Sequence, residues 1–320
     1  MIRKAFEGMH PWVQVVFFGS MMVTGIAVAA FVGIAAMAGA NGWSLEHAMT
    51  VAGQPDSPAG FWSNIVVNSA NQLIGFAGVA LAFGWLFSRR RLDRMGLRTT
   101  RGPLWAWLGL AAMATVGALP LLDLSHRLNA WLIQFLPNGL GELADYFEQL
   151  AADTTEALLV STEPGATLAL LLAIAVLPGV CEELAFRSVF QPLFVRSTRR
   201  LHLGVWFGAA VFSAIHMQFH GFLPRMIIGA GLGYVVIWSG SVLPAMLAHF
   251  INNANTVVQA RLNGAEWIHA ELNVSAPWES DDYILAAGCT VLLLVALFLM
   301  KRIAPWTEQA ARYQGAVLQD

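Results

Sequence analysis

What most constrains this chain is that its apolar residues come in long blocks, each close to the length needed to cross a bilayer. A stretch of about 18 or more apolar residues with few charges is long enough to span the ~30 Å hydrocarbon core as a helix. Eight runs of this kind can be read: Trp12–Met37, Ile65–Phe87, Leu104–Leu122, Ala166–Phe194, Leu203–Phe219, Leu223–Trp238, Val242–Ala260 and Ile284–Met300. The fifth and sixth are short, and the fourth is overlong and carries Pro178-Gly179, a pair expected to break or kink a helix. Only 12% of the residues are charged, against roughly 25% in soluble domains. The expectation is therefore an all-α polytopic membrane protein, about eight transmembrane helices forming a bundle with an intramembrane polar cavity.

The charges outside the runs set the expected topology. Arg3 and Lys4 precede the first run. Arg89, Arg90, Arg91, Arg94, Arg98 and Arg101 follow the second, Arg196, Arg199 and Arg200 the fourth, and Lys301, Arg302 and Arg312 the eighth. With eight alternating spans these all fall on one side, and the positive-inside rule makes that side, with both termini, cytoplasmic. Glu46, Asp56, Asp123, Glu142, Asp145, Glu148, Asp153, Glu156, Glu163, Glu266, Glu271, Glu279, Asp281 and Asp282 then lie on the other. The expected location is the plasma (inner) membrane. The first run is about twice a signal-peptide core, so a retained helix is expected there. Between the third and fourth runs, Leu128, Trp131, Leu132 and Phe135 have helical spacing and predict an amphipathic helix on the outer interface. Asn273-Val-Ser forms a glycosylation sequon, also on the outer side. A net charge of −2 gives no sign of a nucleic-acid partner, and two cysteines within apolar segments, Cys181 and Cys289, do not make a disulfide framework.

The fourth run also carries chemistry. Pro178-Gly-Val-Cys-Glu-Glu-Leu-Ala-Phe-Arg187 places three charges at membrane depth, where each costs about 2.5–3.5 kcal/mol on insertion scales and marks function by default. Glu183 and Arg187 are four apart and can pair on one helical face, whereas Glu182 points roughly 100° away and is left free. The fifth run adds Phe212-x-x-x-His216, with His220 one turn on. The seventh adds His249-x-x-x-Asn253, again one turn apart, with Asn252 and Asn255 on another face. Polar glue between helices accounts for any one of these taken singly; a free Glu182 beside two imidazoles and an amide argues for a site. His216 and His220 mimic a His-x-x-x-His zinc spacing, but no Glu follows the first histidine as in a metalloprotease helix.

Taken in order, Glu182-Glu183-x-x-x-Arg187, Phe212-x-x-x-His216 and His249-x-x-x-Asn253 resemble the CPBP family of intramembrane proteases, which contains the type II CAAX prenyl endopeptidases and the Abi proteins. The resemblance covers roughly Ala166–Ala260, with Ser188 where a glycine often follows the arginine. It implies three parts: residues 1–165 as N-terminal spans and an outer amphipathic segment, 166–260 as catalytic core, and 261–320 as outer loop, last span and tail. It also implies an intramembrane endopeptidase that cuts a peptide bond of a membrane-associated protein or peptide in the lipid bilayer. Glu182 would be the base on water, His216 would hold that water, His249 and Asn253 would donate to the oxyanion, and Glu183 with Arg187 would be structural. Glu182, His216 and His249 could instead ligate Zn2+ with an open position, and a metal-free glutamate mechanism stands beside that option. Counting residues from the cytoplasmic ends puts His249 about 10 Å deep and His216 about 20 Å deep, from which a cavity opening to the cytoplasm is expected. A proton-coupled transporter and a non-catalytic scaffold or immunity protein are the competing classes.

Overall fold

The computed structural model describes residues 8–87, 96–97, 100–272 and 278–319. Arg3, Lys4, Arg89, Arg90, Arg91, Arg94, Arg98 and the Asn273 sequon lie outside the described residues, as do the side chains of Glu266 and Glu271. The helices are α1 (Pro11–Asn41), α2 (Leu45–Ala52), α3 (Pro58–Phe87), α4 (Leu104–Ile133), α5 (Asn138–Leu159), α6 (Ala166–Thr198), α7 (Leu201–Ala214), α8 (Phe222–Ser239), α9 (Leu243–Leu272), α10 (Ser280–Ile303) and α11 (Trp306–Gln319). No strand occurs among the described residues. The chain is an all-α polytopic membrane bundle.

Each of the eight apolar runs falls on a helix, but the runs differ in kind. Six helices are long and apolar enough to cross a membrane: α1, α3, α4, α6, α8 and α10. The fifth run yields only the 14-residue α7, about 21 Å long and short of a bilayer's hydrocarbon thickness. The seventh yields α9, whose apolar character is diluted by His249, Asn252, Asn253 and Asn255 and which turns sharply at Gly264 (φ 70°, ψ −162°). The third run does not stop at Leu122. α4 continues through Pro120 to Ile133, so Leu128, Trp131 and Leu132 extend a spanning helix and do not start a separate one. The amphipathic segment that follows it is α5.

α6 is the central helix. It packs against α1, α3, α7 and α9, and 56% of its most apolar stretch is buried, against 11% for the peripheral α10. Pro178 does not break it. The chain widens into a π-helical turn over Leu171–Val176 and resumes as α-helix at Leu177. The wide turn makes room for the proline ring, which would otherwise collide with the carbonyl four residues back. A second wide turn spans Phe186–Phe190.

Beyond that turn the core is aromatic. Phe18 stacks edge-on to Phe83 (4.9 Å) and Phe190 (4.7 Å), and Phe186 to Phe212 (5.0 Å). Leu193, Phe194, Trp107 and Val242 complete this packed half of the bundle. Gly117 lets α4 lie directly on α10: a Cβ there would sit 2.6 Å from Leu293 N and 2.8 Å from Cys289 O. Gly117→Val should therefore push the two helices apart and cost about 1–3 kcal/mol, the usual penalty of overpacking. The check is a lowered thermal aggregation temperature of the detergent-extracted protein, with Gly109→Val, where open space surrounds the Cβ, as the neutral control.

Candidate active site

The site begins with a consequence of Pro178. Having no N–H, the proline leaves the Ile174 carbonyl without its helical donor, and Asn253 on α9 supplies one: its Nδ2 donates to Ile174 O at 3.0 Å. Asn68 on α3 similarly donates to Ala173 O at 3.2 Å. The two neighbours of the widened turn are thus held to it by amides, and both amides line the same cavity.

One turn further on, the two adjacent glutamates diverge. Glu183 is fully buried and pairs with Arg187, Nε to Oε2 at 3.2 Å, as the spacing predicts. Its other oxygen accepts from His249 Nδ1 at 2.9 Å. Arg187 in turn donates to Gly229 O on α8 at 2.9 Å, and its guanidinium lies 4.9 Å over the Phe212 ring. Two carboxylate oxygens, a guanidinium and an imidazole thereby tie α6, α7, α8 and α9 together. Glu182 takes no guanidinium. Its Oε1 accepts from Gln72 Nε2 on α3 at 2.8 Å; its Oε2 has no protein hydrogen-bond partner and stands 3.8 Å from His249 Nε2.

His216 and His220 are not on a helix. α7 ends at Ala214, and the chain turns through Met217 at φ 55°. The turn is fixed by Asn129 of α4, which donates to Phe219 O (2.8 Å) and His220 O (2.7 Å) and accepts from Leu223 N (3.0 Å). The i, i+4 zinc spacing consequently does not put the two rings together. His216 Nδ1 meets Phe212 O at 2.8 Å; a carbonyl can only accept, so Nδ1 carries the proton and Nε2 is left as an acceptor. His220 Nε2 is 2.9 Å from Asp145 of α5, away from the cavity.

Glu182, His216, His249 and Asn253 all line one cavity of about 540 Å³, within the range of about 300–1,000 Å³ usual for ligand sites. Glu183 and Arg187 stand behind that wall. Sequence reasoning missed Asn68, Asn71 and Gln72 on α3 and Arg225 on α8, all of which also line it. The signal was present: Asn68-Ser-Ala-Asn71-Gln72 is a polar interruption of the second apolar run, and Arg225 is a lone cation at the head of the sixth. Arg225 donates to Gln218 Oε1 at 2.9 Å. Asn252, read as helix glue on another face, lines the cavity too and donates to Asn253 Oδ1 at 3.2 Å.

As for a metal, no three His, Cys, Asp or Glu side chains among the described residues stand close enough together to hold an ion. Glu182, His216 and His249 share a cavity without forming a ligand set, so this geometry does not fit the catalytic-zinc arrangement of three converging protein ligands.

The cavity extends from mid-membrane depth to the junction of α7 and α8. Glu182 lies 16 residues from each end of α6, at mid-helix. From there the lining runs through Ile174, Asn68 and Thr256 to Ile215, His216 and Arg225. The last three lie where α7 ends and α8 begins, on the side of α5 and away from the arginines at the start of α4 and the end of α6. Depth counted from one helix end says how far in a residue lies and nothing about which way the hollow faces.

Comparison with known proteins gives the same stretch. Residues 164–255 match the Rce1-like family, described as type II CAAX prenyl endopeptidase Rce1-like. The matched segment contains all three motifs, so the resemblance carried by Glu182, His216 and His249 stands as a family match over this core. An uncharacterized protein of Bacillus subtilis, YpbD, is 32% identical over 95 residues, which are 28% of this chain and 46% of that protein. The chain thus spans under half the length of that relative. No solved structure matches significantly.

The buried pair yields a stability prediction. Arg187→Met leaves the Glu183 carboxylate buried without its cation, which should cost about 3–5 kcal/mol. The double variant Glu183→Gln/Arg187→Met should recover part of that loss, as read by thermal unfolding in detergent.

Proposed function

We propose that the protein is an intramembrane endopeptidase in which Glu182 activates water without a metal. The observation that carries this reading is Glu182 itself: a buried carboxylate oriented by Gln72, with one oxygen that takes no protein hydrogen bond and stands 3.8 Å from His249 Nε2, in a cavity also lined by His216, His249 and Asn253. That oxygen takes a proton from water while the water oxygen attacks the substrate's carbonyl carbon. His216, a pure acceptor at Nε2, helps to hold that water. The carbonyl oxygen becomes an oxyanion. In its doubly protonated form His249, fixed through Nδ1 by Glu183, presents Nε2–H to it, beside the second N–H of the Asn253 amide. The C–N bond then breaks, and the leaving amine takes the proton from Glu182.

Asn253 has two tasks here, since its other N–H already serves Ile174 O. Glu183 and Arg187 position His249 and do not touch substrate. Prenylated C-termini are one substrate class suggested by the family description; other membrane-associated peptides suit the same chemistry. Both termini belong on the cytoplasmic side of a plasma membrane by the distribution of arginines.

Glu182→Gln keeps the Gln72 contact but removes the base, and should lower cleavage by about 10²–10⁴-fold with unchanged extraction and unfolding temperature. The readout is the set of new protein termini in membranes from cells carrying either form. Unchanged termini would mean a non-catalytic scaffold, and substrate flux in proteoliposomes without cleavage a transporter. Cleavage by the wild type should survive exhaustive chelation; activity lost to chelator and restored by Zn2+ would replace the metal-free step.

A further inference from the structure

Two independent features of the bundle bear on which side of the membrane the site serves. The first is charge. Arg196, Arg199, Arg200, Arg101, Lys301, Arg302 and Arg312 gather at one end of the bundle. That end is stitched together by Arg101 N to Ser239 O (2.8 Å), Val242 N to Gly96 O (3.0 Å) and Gln314 Nε2 to Arg199 O (2.9 Å). In the sequence, Arg89, Arg90, Arg91, Arg94 and Arg98 fall between the second and third apolar runs. The opposite end carries Asp145, Glu148, Asp153, Glu156 and Glu163, with Arg127, Arg225 and Arg261 as its cations among the described residues. Lysine and arginine excess marks the cytoplasmic side.

The second feature is the position of the hollow within the bundle. Between Glu182 and the arginine-rich end, the interior is filled by Phe186, Phe190, Leu193, Phe194, Phe18 and Phe83, all 5% exposed or less. Between Glu182 and the acidic end lies the cavity, where Asn68, Asn71, Asn252 and Thr256 stand among Ile174 and Ile215, with the half-buried His216 and Arg225 at the junction of α7 and α8. That end also carries exposed Trp131, Phe135 and Tyr146, the aromatic residues that settle at a membrane–water interface.

Resting on the hydrolase reading for its substrate, we propose that the site is entered from the extracytoplasmic face. It would take a peptide segment lying at the outer membrane surface, such as a secreted peptide or the outer juxtamembrane stretch of a membrane protein. A prenylated C-terminus in the cytosol would meet the packed phenylalanine side and not the cavity. The aromatic plug makes the two faces chemically unequal, and the cavity wall that runs from Glu182 to His216 and Arg225 gives water and substrate their path.

The test is thiol labelling of the full chain with a membrane-impermeant maleimide, in spheroplasts and in inverted vesicles. Cys289→Ala is the background, with buried Cys181 kept in place. Thr256→Cys and Ile215→Cys, at the cavity mouth, should label at least tenfold faster in spheroplasts, and Arg312→Cys at least tenfold faster in inverted vesicles. Mouth cysteines that label preferentially in inverted vesicles overturn the proposal, whichever side Arg312→Cys reports. Labelling does not depend on turnover and should be the same in a Glu182→Gln background. An absence of proteolysis would thus sink the hydrolase reading and leave this orientation intact, and inverted labelling would do the reverse.

Discussion

The arrangement depends on one buried charge cluster. Glu183 is removed from solvent and must be neutralised, since an unpaired carboxylate at that depth would cost several kcal/mol. Its charge is met by Arg187 on its own helix, and His249 on α9 hydrogen-bonds its other oxygen. Because Arg187 also reaches the Gly229 carbonyl, meeting the needs of one carboxylate fixes the relative positions of three helices. Glu182, the next residue in the chain, is thereby turned to face Gln72 and the cavity. Glu182 is left without a guanidinium because its neighbour has taken Arg187.

A second constraint comes from proline. In a helix interior Pro178 removes one hydrogen bond and crowds a carbonyl, and the π-helical turn at Leu171–Val176 relieves the crowding. The carbonyls of Ala173 and Ile174 then accept from Asn68 and Asn253. What reads as a helix breaker in sequence thus becomes the seam by which α3 and α9 are registered against α6. The polar wall of the cavity and the packing of its helices are built from the same amides.

The bundle divides along its axis. Phenylalanines from α1, α3 and α6 close one half, and the other holds the cavity, where amides, histidines and an arginine stand among apolar side chains. Such a division gives the Glu182 carboxylate one side on a cavity and one side on packed phenylalanines.

Much of this was legible in the linear chain. Apolar run length determined that the protein is a helical membrane bundle, because no other use of so many uncharged blocks satisfies both lipid and backbone. Local spacing determined that Glu183 and Arg187 would pair and that Glu182 would not, because four residues return to the same helical face and one does not. Spacing within a run could not reveal that α7 stops before His216, or that the turn after it is held at Phe219 and His220 by Asn129, some ninety positions away. Nor could it show that Gln72 orients Glu182 across a gap of 110 residues, or that the phenylalanines lie on one side of the acid and the amides on the other. Those are matters of which helices become neighbours. Only the tertiary structure decided them, because a side chain's partner across a bundle depends on packing and not on its distance along the chain.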